Sequence, residues 1–595
     1  MPNTHFLECF KKVLVQKSSK ISHVTADNKG IDWTKYFTDT ASFANGLQHY
    51  EVKTDETIAI MGFNNYYWHV SAIGSAVYGS PFTGIYPTNG PEEVEHNLFL
   101  TNASVLVIES IKLLDKIKLN RKLKLILIYD DTTEFDVYQD IPLFNISDFL
   151  IKYKKFNYKT PEIKDNNPLC YIFTSGTTGL SKAVTITHEN VSYTAERMCN
   201  IYQLKNERVV SYLPLSHIAA SMIDIFCHIY HQGTIFFAKP DALRGSLKDT
   251  LVVAKPTMFF GVPRVWEKMR EAMLKKADEK YKGTLGGILK SIVQCAKDNT
   301  KSIHVKSQRN LAGTFKEKLV YNTLGKVFFG KIKKELGFNE CKYFMTGAAP
   351  ISVDIMEYFA SIDIVINELY GMSETTGVIT ASLPRHYRWG SAGKALIGQV
   401  KIAEDGEILY QSKCVFKEYK DNQKATEETL EDGWLHTGDI GEVRDGYLYI
   451  TGRKKELLIT AGGENVAPVK IEERIKENAP ALSQVIVIGD RMKYLTCLVT
   501  IATKENSNEL LNKDVDPTAK TLPTAQISDL WKNYIQKAID TYNANPISNA
   551  QKIQKYTILN EDLSIENGCM TPTMKIKRAK VYEKFSEDIE KLYKE

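Results

Sequence analysis

The feature that most constrains the fold is a recurring alternation of short apolar segments with longer amphipathic ones. The apolar segments are rich in β-branched residues and lie at Thr57 to Met61, Val105 to Ile108, Leu123 to Tyr129, Leu169 to Phe173, Thr234 to Ala238, Lys342 to Met345 and Asp363 to Ile366. Strands that alternate with helices in this way predict α/β architecture with a substantial parallel sheet. Because 595 residues are too many for one hydrophobic core, we expect several lobes.

Two changes of pattern divide the chain. From about residue 393 to 453, short strands punctuated by Gly and Asp predict a β-rich subdomain. Beyond residues 453 to 456 the pattern becomes a helix, two strands and later helices, which predicts a smaller α+β domain over 456–595 after a large multi-lobed region over 1–453. Residues 503–528 are rich in Asn, Lys, Asp, Thr and Pro, so we predict a surface insertion there.

The composition excludes several classes of protein. The formal charge of +5, from 76 basic and 71 acidic residues, is too small to indicate a nucleic acid partner. The nine cysteines include no CxxC pair, which favours a reducing compartment. No secretory signal is read at the amino terminus, and the most apolar stretch, residues 70–86, is broken by Gly and Pro, so no transmembrane helix is predicted. We therefore expect a cytoplasmic protein.

The sharpest local motif is TSGTTGLSK, which directly follows an apolar strand. Its hydroxyls, backbone amides and single cation suit an anionic phosphate chain. A Walker loop would require Gly-Lys followed by Ser or Thr, whereas here Ser181 precedes the lysine and Ala183 follows it. The motif therefore predicts a phosphate-binding loop of another type, whose residues are Thr174, Ser175, Gly176, Thr177, Thr178, Gly179 and Lys182.

Two histidines, His228 and His231, stand one helical turn apart and superficially suggest a metal pair. No third ligand is spaced in the sequence to join them, which favours a structural role for both rings. We therefore predict no metal site at this pair.

TSGTTGLSK resembles the phosphate loop of the adenylate-forming superfamily, and further motifs continue the resemblance in the same order. They are SYLPLSHI (211–218), GVPRVWEKM (261–269), TGAAP (346–350), ELYGMSETTG (368–377), DGWLHTGDIG (432–441), GRKKELLITAGGENVAP (452–468) and TPTMKIKR (571–578). Several of these resemble long-chain fatty-acyl-CoA synthetases, most of all the bubblegum type. The resemblance implies an AMP-forming acid-thiol ligase, which converts a fatty acid, ATP and coenzyme A to acyl-CoA, AMP and diphosphate through an acyl-adenylate.

The resemblance also implies nucleotide-binding roles for residues of fitting chemistry. Tyr370 offers a flat ring to adenine, Asp439 can accept hydrogen bonds from both ribose hydroxyls, and Ser373 would touch the α-phosphate. Glu374 is a hard oxygen ligand for the Mg²⁺ that accompanies ATP, with Thr174 as its neighbour. The further nucleotide-binding positions that the resemblance implies are Gly347, Ala348, Ala349, Gly371 and Arg453.

The two half-reactions are expected to use different parts of the carboxyl-terminal domain. Lys575 resembles the lysine that reaches the carboxylate and the α-phosphate during adenylation. In the family this domain then turns about a hinge, which falls here at Lys455, so that the Gly462, Gly463, Glu464 loop approaches the coenzyme A thiol. His217 matches a position near the acyl carboxylate, although a packed, hydrogen-bonded histidine is the alternative reading.

Other functions stay open. One is an adenylate-forming ligase for another carboxylic acid or for a protein carrier, and another is a non-catalytic acyl-binding or nucleotide-binding relative. The presence of Lys575, Glu374, Asp439 and Arg453 disfavours the last of these. Peripheral association with a membrane is a further alternative, because the implied substrate is a lipid. The sequence predicts neither the preferred acyl chain length nor the oligomeric state.

Overall fold

The computed structural model describes residues 5–117, 123–129, 137–155, 162–174, 181–280, 284–384, 386–461, 464–504, 507–512, 514–546, 548–571 and 575–594. The chain forms two compact units. The first comprises residues 1–351, 355–400 and 410–435, and the second comprises residues 352–354, 401–409 and 436–595. Residues 401–409 and 436–453, from the predicted β-rich stretch, thus belong to the same unit as the carboxyl-terminal residues.

The largest sheet of the first unit has nine strands among the described residues. Across the sheet they follow the order Glu418–Tyr419, Lys182–Thr187, Pro168–Thr174, Phe82–Ile85, Thr57–Met61, Ala103–Ile108, Leu125–Ile128, Ile141–Asn145 and Val137–Tyr138. The six strands from Pro168–Thr174 to Ile141–Asn145 run parallel to one another, and each of the three outer strands pairs antiparallel with its inner neighbour. Parallel strands are buried on both faces, which explains why they appear in the sequence as continuous apolar runs.

Two smaller sheets lie wholly within this unit. One has the order Arg208–Ser211, Thr234–Phe237, Ile21–Val24 and Gly30–Asp32, and the other has the order Met258–Phe260, Tyr343–Thr346, Ile366–Tyr370, Thr380–Ala381 and Lys394–Ala395. In the second of these the first three strands are parallel. Their carboxyl ends therefore meet at one edge, where ligands of such sheets usually bind.

Helices of the first unit connect and cover these strands. The α-helices are His5–Lys17, Trp33–His49, Tyr66–Tyr78, Pro91–Leu100, Ile146–Lys152, His188–Ile201, Ile218–Ala220, Cys227–His231, Leu247–Ala254, Pro263–Lys280, Thr284–Gln308, Phe315–Val320, Lys326–Leu336, Val353–Ser361, whose first two residues fall in the second unit, and Gln423–Thr429. Two segments, Ser221–Phe226 and Tyr321–Gly325, are π-helical. None of the helices in the described part of the chain is long and apolar enough to cross a membrane.

Short strands follow where the chain passes between the two units. They are Gln399–Ile402, Glu407–Gln411, Leu430–Glu431, Trp434–Arg444 and Tyr447–Arg453. The last two form a hairpin in which Asp439 lies opposite Arg453.

The second unit is built on a sheet of three described strands, in the order Leu482–Ile488, Leu495–Ile501 and Ile553–Ile558. A small hairpin, Leu458–Ile459 with Asn465–Val466, precedes it. The helices are Pro468–Asn478, Leu522–Ile527, Asp529–Asn543, Arg578–Lys584 and Ser586–Tyr593. The predicted helix with proline in its first turn begins at Pro468, as proline's fixed φ allows.

Two details predicted from the sequence were wrong. Leu510 and Leu522, from the supposed surface insertion, are buried in the core of the second unit. The strand predicted to begin at Asp363 begins at Ile366, because Asp363 adopts a positive φ of 62°.

The structural role predicted for His228 and His231 stays a prediction. One ring nitrogen from each of the buried residues His23, His69 and His228 lies within 4.8 Å of the other two, and His231 is not part of this group.

Candidate active site

The predicted phosphate loop lies at the end of a β-hairpin in the first unit. Thr174 ends one strand and lies opposite Lys182, which begins the next. The residues between them, Ser175 to Gly179 among them, lie outside the described residues. The chain that follows the loop is held in place at Ser181. Its hydroxyl donates to Asn97 Oδ1 at 3.0 Å, and its carbonyl accepts from His96 Nε2 at 2.8 Å. The hairpin therefore fixes both ends of the loop.

A tyrosine connects this hairpin to the predicted metal ligand. The strand containing Tyr419 pairs with the Lys182 strand, and the Tyr419 hydroxyl donates to Glu374 Oε1 at 2.6 Å. The Lys182 ammonium lies 4.7 Å from the centroid of the same ring. Burial, together with Glu374, raises the pKa of Tyr419, so its phenol stays protonated and keeps donating. No local sequence signal marks Tyr419, because its partner Glu374 lies 45 residues away.

Glu374 is fixed by the backbone around it. It lies in the short 3₁₀ turn Ser373–Thr375, and its carbonyl accepts from the Phe416 amide at 2.8 Å. The Thr376 hydroxyl donates to the Cys414 carbonyl at 2.6 Å. The Tyr419 bond engages one carboxylate oxygen of Glu374 and leaves the other able to serve as a ligand. The predicted second ligand is Thr174, which ends the strand opposite Lys182, and carboxylate and hydroxyl oxygens are hard donors of the kind that Mg²⁺ takes. The residues thus fit the ion.

The predicted adenine site lies at the ends of two neighbouring parallel strands. Gly347 to Ala349 follow the strand that ends at Thr346, and Tyr370 ends the strand beside it. Ala348 has a φ of 71°, in the left-handed region that residues other than glycine adopt infrequently. A Cβ atom added to Gly371 would lie 1.7 Å from the Gly377 carbonyl oxygen, so only glycine fits after the tyrosine ring.

His217 caps a short helix. Its Nδ1 accepts a hydrogen bond from the Ala219 amide at 3.2 Å. In the neutral ring the proton therefore sits on Nε2, leaving that atom as the donor. This hydrogen bond gives His217 a structural role, and its contact with the acyl carboxylate stays a prediction.

In the second unit, the two predicted ribose ligands form an ion pair. Arg453 Nε lies 3.1 Å from Asp439 Oδ1, across the hairpin in which the two residues are partners. The Asp439 side chain is 7% exposed and that of Arg453 is 52% exposed. The carboxylate is thus held in one orientation while the guanidinium remains accessible.

The predicted hinge and thiol loop lie close together in the chain of the second unit. Lys455 is exposed in a 3₁₀ turn, Lys454–Glu456, and its neighbour Lys454 binds Asp405 Oδ2 at 2.6 Å. Glu464 accepts from Ser548 Oγ, and from Gln551 Nε2 at 3.2 Å. Gly462 and Gly463 lie outside the described residues.

Lys575, in the second unit, is hydrogen bonded to Thr571. Its amide donates to Thr571 Oγ1 at 3.0 Å, and its carbonyl accepts from the Thr571 amide at 2.8 Å. Three residues later, Arg578 forms a bidentate pair with the buried Glu472, with Nη1 to Oε1 at 2.8 Å and Nη2 to Oε2 at 2.5 Å. Glu472 also accepts from the Val487 amide at 2.7 Å. This pair, which the sequence analysis did not single out, anchors the segment that carries Lys575.

Replacing Arg578 by alanine is expected to lower the free energy of unfolding by about 3–5 kcal/mol, because Glu472 would keep a buried charge without its partner. Urea unfolding of the whole protein measures the loss. Arg444→Ala is the matched control, since its pair with Glu442 has side chains 60% and 52% exposed and should contribute less than about 1 kcal/mol. Equal losses in the two variants would contradict the anchoring role.

The chain matches known families over nearly its whole length. Residues 10–420 match the AMP-binding enzyme family, and residues 455–595 match the AMP-binding enzyme C-terminal domain. The chain therefore belongs to the AMP-binding, adenylate-forming enzymes, and the predicted α/β fold with a smaller carboxyl-terminal domain is confirmed.

Sequence relatives assign the chain to a narrower group within this family. It is 36% identical to the long-chain-fatty-acid–CoA ligase ACSBG2 of Xenopus laevis, covering 96% of this chain and 81% of the relative. It is 34% identical to the long-chain-fatty-acid–CoA ligase heimdall of Drosophila melanogaster, covering 91% and 87%. Within the family, the chain belongs to the bubblegum-type branch of these ligases.

Solved structures share the fold at low sequence identity. The anthranilate CoA ligase AuaEII, in complex with anthranoyl-AMP, matches with a TM-score of 0.71 at 16% identity over 98% of both chains. The adenylation domain of a carboxylate reductase from Mycobacterium chelonae matches with a TM-score of 0.74 at 17% identity, over 100% of this chain and 92% of that domain.

Proposed function

We propose that this protein is a long-chain fatty acid–CoA ligase. A fatty acid carboxylate attacks the α-phosphorus of ATP and releases diphosphate, and the thiolate of coenzyme A then attacks the acyl carbon of the adenylate and releases AMP. The observation that carries the proposal is the convergence of Lys182, Tyr419 and Glu374 beside a phosphate-loop hairpin. The acyl class follows from the relatives named above.

In the first unit, the proposed roles concern the triphosphate and adenine. Lys182 and the loop amides bind phosphate oxygens, and Tyr370 stacks on adenine beside Gly347 to Ala349. Ser373 contacts the α-phosphate. Glu374 and Thr174 hold Mg²⁺, which when bound neutralises charge on the phosphates. Tyr419 orients the Glu374 carboxylate by its hydrogen bond.

In the second unit, the proposed roles concern the ribose and the two chemical steps. Asp439 accepts from the ribose hydroxyls, with Arg453 beside it. Lys575 neutralises the charge that builds on the α-phosphate during adenylation. Lys455 acts as the hinge, and the loop ending at Glu464 takes part in thioester formation.

Replacing Lys455 by proline tests the hinge, because proline fixes φ at about −65° and restricts the backbone rotation there. Thioester formation from a preformed acyl-adenylate is expected to slow at least about tenfold, while adenylation, followed as diphosphate release, changes far less. Lys455→Ala is the control and should leave both steps near normal. Equal losses in the two steps of the proline variant would count against the hinge.

The overall reaction is tested by incubating the purified protein with Mg-ATP, coenzyme A and saturated acids from octanoic to tetracosanoic. AMP, diphosphate and acyl-CoA are followed separately. Acyl-CoA with a chain-length optimum is the expected result. Diphosphate without thioester would indicate a different acyl acceptor, and no product from any acid would favour a non-catalytic binding protein.

Because its proposed substrate partitions into bilayers, we also propose that the enzyme associates peripherally with membranes. The enzyme would contact the surface of the bilayer without crossing it.

A further inference from the structure

A helical hairpin of the first unit exposes an unusual surface. The helix Thr284–Gln308 packs against a second helix that runs from Phe315 to Leu336 through α, π and α segments. Lys306 Nζ and Ser302 Oγ both bind Glu317 Oε1 at 2.6 Å, joining the two helices near their connecting loop. Gly325 of the second helix faces Thr300 of the first and is buried, and Phe329 is buried as well.

Large apolar side chains lie exposed on and beside this second helix. Phe315 is 83% exposed, Leu319 is 53% exposed and Val327 is 56% exposed. Leu311, in the loop before the helix, is 59% exposed. Burying such side chains against a partner is favourable, and several together mark an interaction surface more often than a single one does.

The π-helical segment brings these side chains onto one stripe. Twelve positions separate Phe315 from Val327, about 3.3 turns of regular α-helix, which would rotate the two side chains about 120° apart. The wider π turn over Tyr321–Gly325 takes up one extra residue, so that the separation becomes about three whole turns. Val327 therefore falls in line with Phe315 and Leu319.

Exposed lysines flank this stripe. Residues 309–337 contain seven basic and two acidic residues, a net charge of +5. Both acidic side chains are engaged, Glu317 by Lys306 and Glu335 by Lys276, at 2.6 and 2.7 Å. Lys316, Lys318 and Lys326 are exposed, and these three form no ion pair with a carboxylate in the described part of the chain. The surface formed by these apolar side chains and lysines is called the basic apolar face. Its residues are Leu311, Phe315, Lys316, Lys318, Leu319, Lys326 and Val327.

We propose that the basic apolar face docks on an anionic lipid bilayer. Phe315 and Leu319 would enter the boundary between headgroups and acyl chains, and the flanking lysines would bind lipid phosphates, as in helices that lie in the membrane interface. A second copy of the chain fits less well, because two such faces would bring their lysines together and because four apolar side chains supply little of the roughly 800 Å² per partner of a stable dimer. This inference builds on the proposed action on a lipid substrate.

Vesicle flotation tests the face without catalysis, so its outcome does not depend on whether the enzyme is active. Wild-type protein is expected to float with phosphatidylcholine vesicles that contain about 30% phosphatidylserine, and to float less with phosphatidylcholine alone or at about 0.5 M salt. The double variant Phe315→Ser with Leu319→Ser should lose at least about tenfold in partition coefficient. Lys316→Glu with Lys318→Glu should lose the salt-sensitive part of the binding.

Phe99→Ser is the matched control, since Phe99 is 72% exposed on a helix with acidic rather than basic neighbours and should float as wild type does. All substituted side chains are exposed, and thermal unfolding checks that each variant folds. Absence of wild-type flotation would overturn the proposal, as would a serine double variant that floats as well as wild type. If those serines altered only self-association in sedimentation, the face would be a contact between copies and the proposal would likewise fall.

Discussion

Replacing Lys575 by alanine is expected to slow acyl-adenylate formation about 10²–10³-fold, because preorganised charge at the reacting phosphate is among the largest contributions to such catalysis. Thioester formation from a synthetic acyl-adenylate should change little, since our proposal gives Lys575 no part in that step. Release of diphosphate in a single turnover measures the first step, and acyl-CoA formed from the synthetic adenylate measures the second.

The chain supplies its own control for this experiment. Lys577 is an exposed lysine two residues later, and its amide donates to the Cys569 carbonyl. Lys577→Ala should retain near-normal rates for both steps, which separates the position of Lys575 from the general charge of the segment. If both variants lost adenylation alike, or if K575A impaired both steps equally, the assignment of Lys575 would be wrong.

Lowering the pH from 7.5 to 5.5 is expected to destabilise the first unit by several kcal/mol. Burial holds the pKa of five of its histidines well below the usual value of 6.5, to about 3 for His69, His188 and His231. His23 and His228 are lowered by burial and by neighbouring histidines. These rings stay neutral when folded but gain protons when unfolded, so stability present above pH 6.5 is lost as the pH falls from there toward 3.

The size of this effect follows from proton linkage. Each buried histidine lowers the free energy of unfolding by about 1.4 kcal/mol over these two pH units, and five together lower it by about 7 kcal/mol. Asp224 has the opposite effect. Burial raises its pKa to about 7, so the folded carboxyl gains a proton as the pH falls, and this raises the free energy of unfolding by about 2 kcal/mol. The net loss of about 5 kcal/mol is comparable to the whole stability of many domains.

Urea unfolding at the two pH values measures the loss. His231→Gln removes one titrating ring and should reduce the difference between them by about 1.4 kcal/mol. His5→Gln is the control, since the His5 side chain is 45% exposed and should leave the difference unchanged. A difference that is the same in wild type and H231Q would show that buried histidines do not cause the acid sensitivity.

The strands were predictable where burial on both faces requires a continuous run of apolar residues in the sequence. Thr57–Met61 has the bounds that the sequence predicted, because it is covered on both faces. The error at Asp363 arose because an apolar run does not reveal tertiary partners. Its carboxylate binds Lys333 Nζ at 2.6 Å and Tyr321 Oη at 3.1 Å, which holds the residue in a turn before the strand.

The candidate site was predictable only where its residues lie in contiguous motifs. Glu374, Asp439 and Lys575 were found from the order of short motifs along the chain. Tyr419 and Glu472 were not, because their partners lie 45 and 106 residues away and the contacts form only after strands and helices pair. The buried leucines of the polar segment 503–528 were missed for a similar reason, since composition averages over the few side chains that reach the core.

The pairing of Glu418–Tyr419 with Lys182–Thr187 has a consequence for synthesis on the ribosome. The inner strand emerges about 230 residues before its edge partner, a delay of about 10–50 s at ordinary rates of translation. During that interval the strand presents unpaired amides and carbonyls to other nascent chains, and such edges are where aggregation begins. Chains truncated before residue 418 should therefore be more prone to aggregate than chains that end after residue 435, and chaperones have the greatest opportunity to act within this window.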